Sequence, residues 1–308
     1  VFWINTLCKY FYIAHIFKIK KNKLAENYQS YLPKKHKFRN ILYTKTGYKS
    51  TITINREKKL NCLDLQTINE LTLAFKDSSW DDNIAVIVLT GTGKRAFSTG
   101  ADLDEQQKYF LNNPNDYYKW MYEFIQLHEV MRNAGKPTIA RLNGMVVGGG
   151  NELNMSCDLA IAADHIIIKQ VGAARGSVAA AGATQFLPLI VGERRAREIL
   201  FLCEDIPVAK ALDWGLVNQV VPYSELDKAV DILAEKLFNK LPECLRYTKQ
   251  QLNFWRDLSW HTTIGNARDW LSIHNLSEEV TEGISAFNDK RKINYKKIRS
   301  GGKKKGKS

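Results

Sequence analysis

Residues 145–164, MVVGGGNELNMSCDLAIAAD, place three consecutive glycines directly before a predicted helix that carries Glu152 in its first turn. The start of a helix presents unpaired backbone N–H groups and a partial positive charge. Glycines at 148–150 remove side chains from the approach, so a ligand oxygen can reach the backbone. A tight turn, with Glu152 offsetting the helix dipole, explains the same residues. A phosphate loop does not, because GGGNEL matches neither GxxxxGK[ST] nor GxGxxG.

A second glycine turn precedes this one by about fifty residues. The sequence GTGKRAFSTGADLDEQ, residues 91–106, predicts a buried strand, a glycine turn and a helix beginning near Ala101. Two helix starts that follow neighbouring strands can direct two backbone N–H groups at one oxygen. The pair of turns therefore predicts an oxyanion hole.

The remaining pattern alternates strands with helices and then becomes helical. Paired strands are expected around Gly47, and an apolar spacing of three to four residues predicts a helix over 63–80. From Gly182 onward nearly every segment is predicted to be helical. This order indicates an α/β layer fold with an appended helical region. Further strands are predicted within 83–93, 136–144, 158–164 and 165–170.

Composition excludes several classes of protein. The chain has 308 residues, 44% of them hydrophobic, which suffices for one sizeable core. Its net charge of +13 comes from the two ends: residues 1–49 hold eleven Lys/Arg and one acid, and residues 290–308 hold ten and none. The body between them is acidic, so we expect no nucleic-acid partner. Five scattered cysteines without a CxxC pair predict neither a disulfide framework nor a zinc site, and favour a cytoplasmic protein.

The first nineteen residues are mostly aromatic and apolar, with Lys9 and His15 among the exceptions. Such a stretch suits a membrane anchor or a signal-like segment, but a lysine in its middle counts against a span, and we expect no membrane association. The chain does not begin with Met, so a truncated or wrongly started N-terminus explains the stretch as well as an anchor does. Residues 1–38 are therefore left out of the fold prediction.

Four segments together resemble the enoyl-CoA hydratase/isomerase (crotonase) superfamily over about residues 40–300. The resemblance implies a spiral of ββα units with a C-terminal helical trimerisation region, assembled as a trimer or a dimer of trimers. It also implies chemistry through the enolate of a CoA thioester. The implied division is a core at 39–235, a helical region at 236–292 and a basic disordered tail at 293–308. The segments are RAFSTGADL, NGMVVGGGNELNMSCDLAIAAD, AGATQFLPLIVGERRAREILF and AKALDWGLVNQVV.

The resemblance also assigns roles to residues. The amides of Ala101 and Gly149 match the two oxyanion donors, and Glu152 matches the first of two catalytic glutamates. The second glutamate belongs twenty positions further on, where this chain has Gly172. Ser177 is expected either to position water or a ketone group of a ring substrate, or to serve only as a turn residue beside Gly176. Predicted CoA contacts are Ser98, Gly100, Ala101, Asp102, Leu103 and Gly148, with Arg56, Lys58 and Lys94 as candidates for the phosphates.

No cofactor beyond the CoA of the substrate is expected. No metal is expected either, because His128, His261 and His274 lack partners at metal-ligand spacing. Asp102 is also explained as a residue that favours a helix start, and Arg175 as either a contact to a polar ring substituent or a loop arginine.

Gly172 separates the branches of the family. A hydratase with two glutamates is disfavoured, and naphthoate-forming synthases fit poorly because they lack the glutamate found here at 152. The segments around GGGNEL, QVG and RGSVAAAGATQFLP resemble the ring-opening branch, the 6-oxocyclohex-1-ene-1-carbonyl-CoA hydrolases of anaerobic benzoyl-CoA degradation. These enzymes add water to a ring double bond and then hydrolyse a C–C bond, giving 3-hydroxypimeloyl-CoA. A generic enoyl-CoA hydratase/isomerase, or a non-catalytic protein of this fold that binds RNA or a partner, stays open.

Overall fold

The computed structural model describes residue 32, residues 36–179 and residues 181–299. The predictions for residues 1–31 and 33–35, and for the basic tail from 300 onward, lie outside these residues. The described chain is a mixed α/β structure with two sheets and a helical C-terminal part.

Ten strands form the two sheets. The large sheet has the order β1-β2-β3-β5-β7-β10, in which β1 and β2 form an antiparallel hairpin around Gly47 and every other pair is parallel. The small sheet has the order β4-β6-β8-β9. The strands are β1 (Ile41–Thr46), β2 (Lys49–Ile54), β3 (Val86–Gly91), β4 (Ala96–Ser98), β5 (Thr138–Leu142), β6 (Met145–Val147), β7 (Leu159–Ala163), β8 (Ile167–Lys169), β9 (Ile206–Pro207) and β10 (Gln219–Val221).

Helices cover the sheets and form the C-terminal part. They are α1 (Leu65–Trp80), α2 (Leu103–Glu105), α3 (Pro114–Arg132), α4 (Gly149–Ser156), α5 (Ala183–Val191), α6 (Glu193–Leu202), α7 (Val208–Asp213), α8 (Leu226–Phe238), α9 (Pro242–His274), α10 (Glu278–Asn288) and α11 (Tyr295–Arg299). The predicted boundary between residues 235 and 236 falls inside α8, so this helix runs across it.

The chain repeats a strand–strand–helix unit. Strands β3, β5 and β7 of the large sheet are each followed directly by β4, β6 and β8 of the small sheet, and a helical segment then follows. β3 is buried along its whole length, as expected for a parallel strand covered on both faces. Because β4 and β6 are parallel neighbours, the segments that follow them emerge side by side. The two glycine turns of the sequence are these segments.

A buried ion pair joins the helical part to the core. The guanidinium of Arg132 in α3 donates two hydrogen bonds, of 3.0 and 3.1 Å, to one carboxylate oxygen of Asp257 in α9. The guanidinium carbon lies 4.2 Å from the ring centroid of Trp260, a second α9 residue.

In the described residues, no helix is long and apolar enough to cross a membrane.

Two sequence predictions needed correction. The helix expected near Ala101 begins at Leu103, because Ala101 stays extended in a bridge with Leu63 and the Asp102 side chain caps the helix. The stretch after Gly182 is not purely helical, because it contains the short strands β9 and β10. Strands of three residues or fewer are too short to show an alternation of apolar and polar residues in the sequence. β10 forms by pairing with β7, which is distant in the chain.

Candidate active site

The two glycine turns touch each other. A methyl group on Gly100, which has a φ of +80°, would lie 2.7 Å from the Gly149 amide nitrogen and 3.1 Å from the Val147 carbonyl oxygen. A methyl group on Gly149 would lie 3.1 Å from the Phe124 ring. Gly148 has a φ of +55°, which side chains disfavour. The glycines therefore allow an approach of two backbones that no larger residue permits.

This contact brings two available amides together. Leu63 pairs with the first turn through the Gly100 carbonyl (2.8 Å) and the Asp102 amide (2.9 Å), which leaves the Ala101 N–H out of the pairing. Gly149 is the first residue of α4, and the first N–H groups of a helix have no acceptor within it. Within the described residues, neither amide donates a hydrogen bond to the protein.

Glu152 lies in the first turn of α4, one turn after Gly149. The residue is 5% exposed, and its Oε1 atom has no hydrogen-bond partner among the described residues. Burial raises the pKa of Glu152 to about 7, although the nearby amides of Ala183 and Ala181 partly offset the rise. A carboxyl group with such a pKa can both accept and return a proton at neutral pH.

Gly172 lies where the resemblance places a second catalytic glutamate. A methyl group on this residue would lie 2.9 Å from the Ser177 carbonyl oxygen and 3.1 Å from the Ala179 amide nitrogen. The amides of Arg175 and Ser177 both donate to the Gly172 carbonyl, each at 2.9 Å. The loop that follows thus folds back onto Gly172 and occupies the space where a side chain would begin.

The unpredicted Tyr117 lies near both Ser177 and Glu152. Ser177 is half-buried, and its side chain and the Glu152 carboxylate both affect the ionisation of the Tyr117 hydroxyl. Tyr117 belongs to no sequence motif. Its only signal was position, because Tyr117 and Phe124 are seven residues apart on α3 and share one helix face.

The predicted CoA contacts divide into two groups. Ser98 is buried at the end of β4, Leu103 begins α2, and both adjoin the turn of Gly100 and Ala101. Lys58 and Lys94 are exposed, and the Lys94 ammonium lies over the Tyr223 ring at 4.7 Å.

Arg56 is engaged within the protein. Its guanidinium donates to Asp102 at 2.8 Å and to the Cys62 carbonyl at 2.6 Å, and lies 3.0 Å from Asp64. Asp102 caps α2 by accepting from the Asp104 and Glu105 amides. Burial opposes ionisation of Asp102, yet the hydrogen bonds from Arg56 and the Glu105 amide hold its pKa below the usual value. Arg56 therefore fixes the start of α2, and contact with a phosphate stays a prediction.

His128, His261 and His274 lie in different surroundings. His128 is buried, its Nδ1 lies 2.7 Å from the Phe124 carbonyl oxygen, and burial lowers its pKa to about 3. His261 is exposed, and the His274 ring stacks on Trp270 at 4.4 Å. The described residues contain no cluster of His, Cys, Asp and Glu that could hold a metal ion. Arg175 lies over the Phe287 ring at 5.0 Å.

Comparison with known proteins agrees with this geometry. The family model described as enoyl-CoA hydratase/isomerase matches residues 49–298, and the chain belongs to this family. Two relatives named 6-oxocyclohex-1-ene-1-carbonyl-CoA hydrolase are each 29% identical to it. The one from Geobacter metallireducens aligns with 82% of this chain and 81% of its own, and the one from Thauera aromatica with 82% and 80%.

A solved structure shows the same fold. An enoyl-CoA hydratase from Mycobacterium avium subsp. paratuberculosis K-10 superimposes with a TM-score of 0.76 at 25% identity, covering 84% of this chain and 99% of that one. The predicted crotonase-like fold is thereby confirmed. The chain is an enzyme of a family that acts on acyl-CoA thioesters.

Proposed function

We propose that this enzyme is a ring-opening acyl-CoA hydrolase that acts on 6-oxocyclohex-1-ene-1-carbonyl-CoA. The observation that carries the proposal is the buried carboxyl group of Glu152 beside two available amides, with backbone packed where a second acid would stand. The two relatives named for this activity support the same substrate. With this substrate, the enzyme takes part in the anaerobic degradation of aromatic acids, and we propose that it works in the cytoplasm.

The two amides form the oxyanion hole in this proposal. The thioester oxygen accepts hydrogen bonds from Ala101 and Gly149, which stabilise negative charge as the enolate develops. Glu152 stands one helical turn beyond Gly149, beside the carbons next to that carbonyl. Its carboxylate takes a proton from water while the water oxygen bonds to the ring carbon, and it then returns the proton to the neighbouring carbon. No cofactor takes part besides the CoA of the substrate.

The CoA moiety is proposed to lie along the first glycine turn. Ser98, Gly100 and Leu103 supply backbone contacts there, Asp102 holds the turn through Arg56, and Gly148 keeps the opposite side open. Lys58 and Lys94 are exposed cations that can meet phosphate groups.

A trimer or a dimer of trimers is proposed for the assembly. Large apolar side chains of α9 are exposed in the single chain, among them Phe254 (74%), Trp255 (71%) and Ile273 (70%). Such side chains mark an interaction surface on a protein of this size. Sedimentation at micromolar concentration tests this: a single species of monomer mass would contradict it.

The proposed reaction is tested by product mass. The purified enzyme is incubated separately with 6-oxocyclohex-1-ene-1-carbonyl-CoA and with crotonyl-CoA. Ring opening adds two water molecules to the cyclic ester, and the product is an acyclic hydroxy dicarboxylyl-CoA. Rapid hydration of crotonyl-CoA without reaction of the cyclic ester would overturn the proposal.

That outcome would favour the second candidate, an ordinary enoyl-CoA hydratase or isomerase. The specific observation in its favour is the superposition on an enoyl-CoA hydratase over nearly the whole of that chain. Against it stands Gly172, where a plain hydratase of the family carries its second glutamate.

A further inference from the structure

Tyr117 lies on the face of α3 that meets the glycine turns. Its ring stacks on that of Trp120 at 6.0 Å between centroids, and Trp120 in turn contacts Phe124 at 5.2 Å. Phe124 is the residue whose ring lies against Gly149. This row of rings places the Tyr117 hydroxyl on the same side of α3 as the two available amides.

Two polar side chains face that hydroxyl. The Ser177 side chain and the Glu152 carboxylate are both close enough to that hydroxyl to affect its ionisation. Burial and the charge of Glu152 raise the pKa of Tyr117 to about 12, and Ser177 opposes this rise. The phenol therefore stays neutral at the pH where Glu152 changes its protonation state.

Ser177 reaches this position because of Gly172. The Ser177 amide donates to the Gly172 carbonyl at 2.9 Å, and the Ser177 carbonyl covers the side of Gly172 where a side chain would project. The loop that excludes a second carboxyl group thus delivers a hydroxyl group next to the same place.

We propose that Tyr117 and Ser177 together hold the attacking water beside Glu152, in the role that a second carboxyl group plays in two-glutamate hydratases. The assignment rests on the proposed function. One proton of the held water passes to the Glu152 carboxylate, and the water oxygen bonds to the distal carbon of the double bond. The π electrons of that bond move into the thioester enolate, which the two amides stabilise. Glu152 then returns the proton to the carbon beside the carbonyl.

The assignment separates two reactions of the same site. Addition of water needs Tyr117, Ser177 and Glu152. Exchange of the α-proton of a saturated thioester such as cyclohexanecarbonyl-CoA needs only Glu152 and the amides, because no water attacks carbon. Loss of a positioned water costs about 10²-fold in rate, whereas exchange keeps its rate.

The test uses the full chain with Tyr117→Phe, Ser177→Ala and the control Tyr118→Phe. Tyr118 neighbours Tyr117 but faces the Arg268 guanidinium at 4.4 Å, away from this cluster. Hydration of the ring ester is followed by absorbance and α-proton exchange in D2O by mass. We expect Tyr117→Phe to lower kcat for hydration about 10²-fold, with KM and exchange unchanged. Ser177→Ala lowers it in the same direction, Ser177→Thr restores it, and Tyr118→Phe leaves both reactions unchanged.

Unchanged hydration in Tyr117→Phe, or equal loss of hydration and exchange, would overturn the assignment. If Tyr117→Phe does not fold, Ser177→Ala and Ser177→Thr decide on the same criteria. Failure of the proposed function looks different, because the unsubstituted enzyme would then leave the ring ester unreacted. In that case crotonyl-CoA replaces the ring ester in the same comparison, and absence of hydration there as well overturns the assignment too.

Discussion

The turn before α4 and the loop after β8 lie close together and differ in what their glycines do. In the first, Gly148 to Gly150 keep side chains away so that the Gly149 amide stays open and Glu152 follows one turn later. In the second, Gly172 makes room for the protein's own backbone, the Ser177 carbonyl and the Ala179 amide. Glycine in one place opens a site to a ligand, and in the other closes a position to an acid.

The proton-transfer group, Glu152, lies in the first region, so replacing its carboxyl group gives the largest expected effect. Glu152→Gln keeps the shape and the burial but removes the proton acceptor. We expect turnover to fall by up to about 10⁴-fold, with little change in the affinity for the CoA ester. Stopped-flow turnover and equilibrium binding measure the two quantities. Normal turnover in this variant would remove Glu152 from the mechanism and end the contrast between the regions.

The same region contains the Gly149 amide, and Gly149→Ala tests its openness. The added methyl group would lie 3.1 Å from Phe124 and 3.3 Å from the Gly100 Cα atom, so the turn must shift. Losing one oxyanion donor costs about 10²–10³-fold in kcat. Phe124→Leu in the same chain relieves the ring contact but not the backbone contact. Recovery of full activity in the double variant would show that crowding by the ring, rather than displacement of the amide, caused the loss.

In the second region, Gly172→Glu introduces the glutamate that two-glutamate hydratases of the family carry, and Gly172→Ala is the control. Both add a Cβ atom that would lie 2.9 Å from the Ser177 carbonyl oxygen. Overpacking of this kind costs about 1–3 kcal/mol of stability. We expect both variants to unfold at lower temperature and neither to gain hydration of crotonyl-CoA. A stable Gly172→Glu enzyme with raised hydration would show that the loop yields and that the position is open after all.

The sequence predicted the first region better than the second. Glycines, a helix start and an acid at fixed spacing are local signals, so both glycine turns could be predicted from the sequence. Residue 172 could be read only as a missing glutamate, because the loop that covers it is held by contacts between residues five to seven positions apart. Tyr117 was missed since its role depends on α3 packing against α4. Arg56 was predicted as a phosphate contact, and its partners Asp102 and Asp64 meet it only in the folded chain.

Burial of Glu152 also predicts a dependence on pH. Its folded pKa, about 7, lies above the ordinary 4.5, so the native state holds the proton more tightly than the unfolded chain. This difference contributes fully to the free energy of unfolding below pH 4.5, and the contribution is lost as the pH rises through about 7. Each unit of difference between the folded and unfolded pKa corresponds to about 1.4 kcal/mol. The Glu152→Gln variant lacks this contribution. We therefore expect its free energy of unfolding, relative to that of the unsubstituted enzyme, to rise between pH 5 and 8 when both are measured by urea unfolding. Hydration should rise with pH through about 7. A flat stability difference would mean that Glu152 is solvated.

The smallest effect is expected outside both regions, at Lys58. Its side chain is exposed, unlike that of Arg56 two positions earlier in the chain, which is hydrogen-bonded to Asp102. An exposed charge that meets a phosphate contributes up to about 1 kcal/mol, so Lys58→Ala should raise KM by no more than about fivefold and leave kcat unchanged. The rise should shrink at 0.5 M salt, because screening weakens exposed charges. Arg56→Ala, by contrast, should lower kcat by releasing the α2 cap beside Ala101. An unchanged kcat in Arg56→Ala would show that the first glycine turn keeps its shape without the cap.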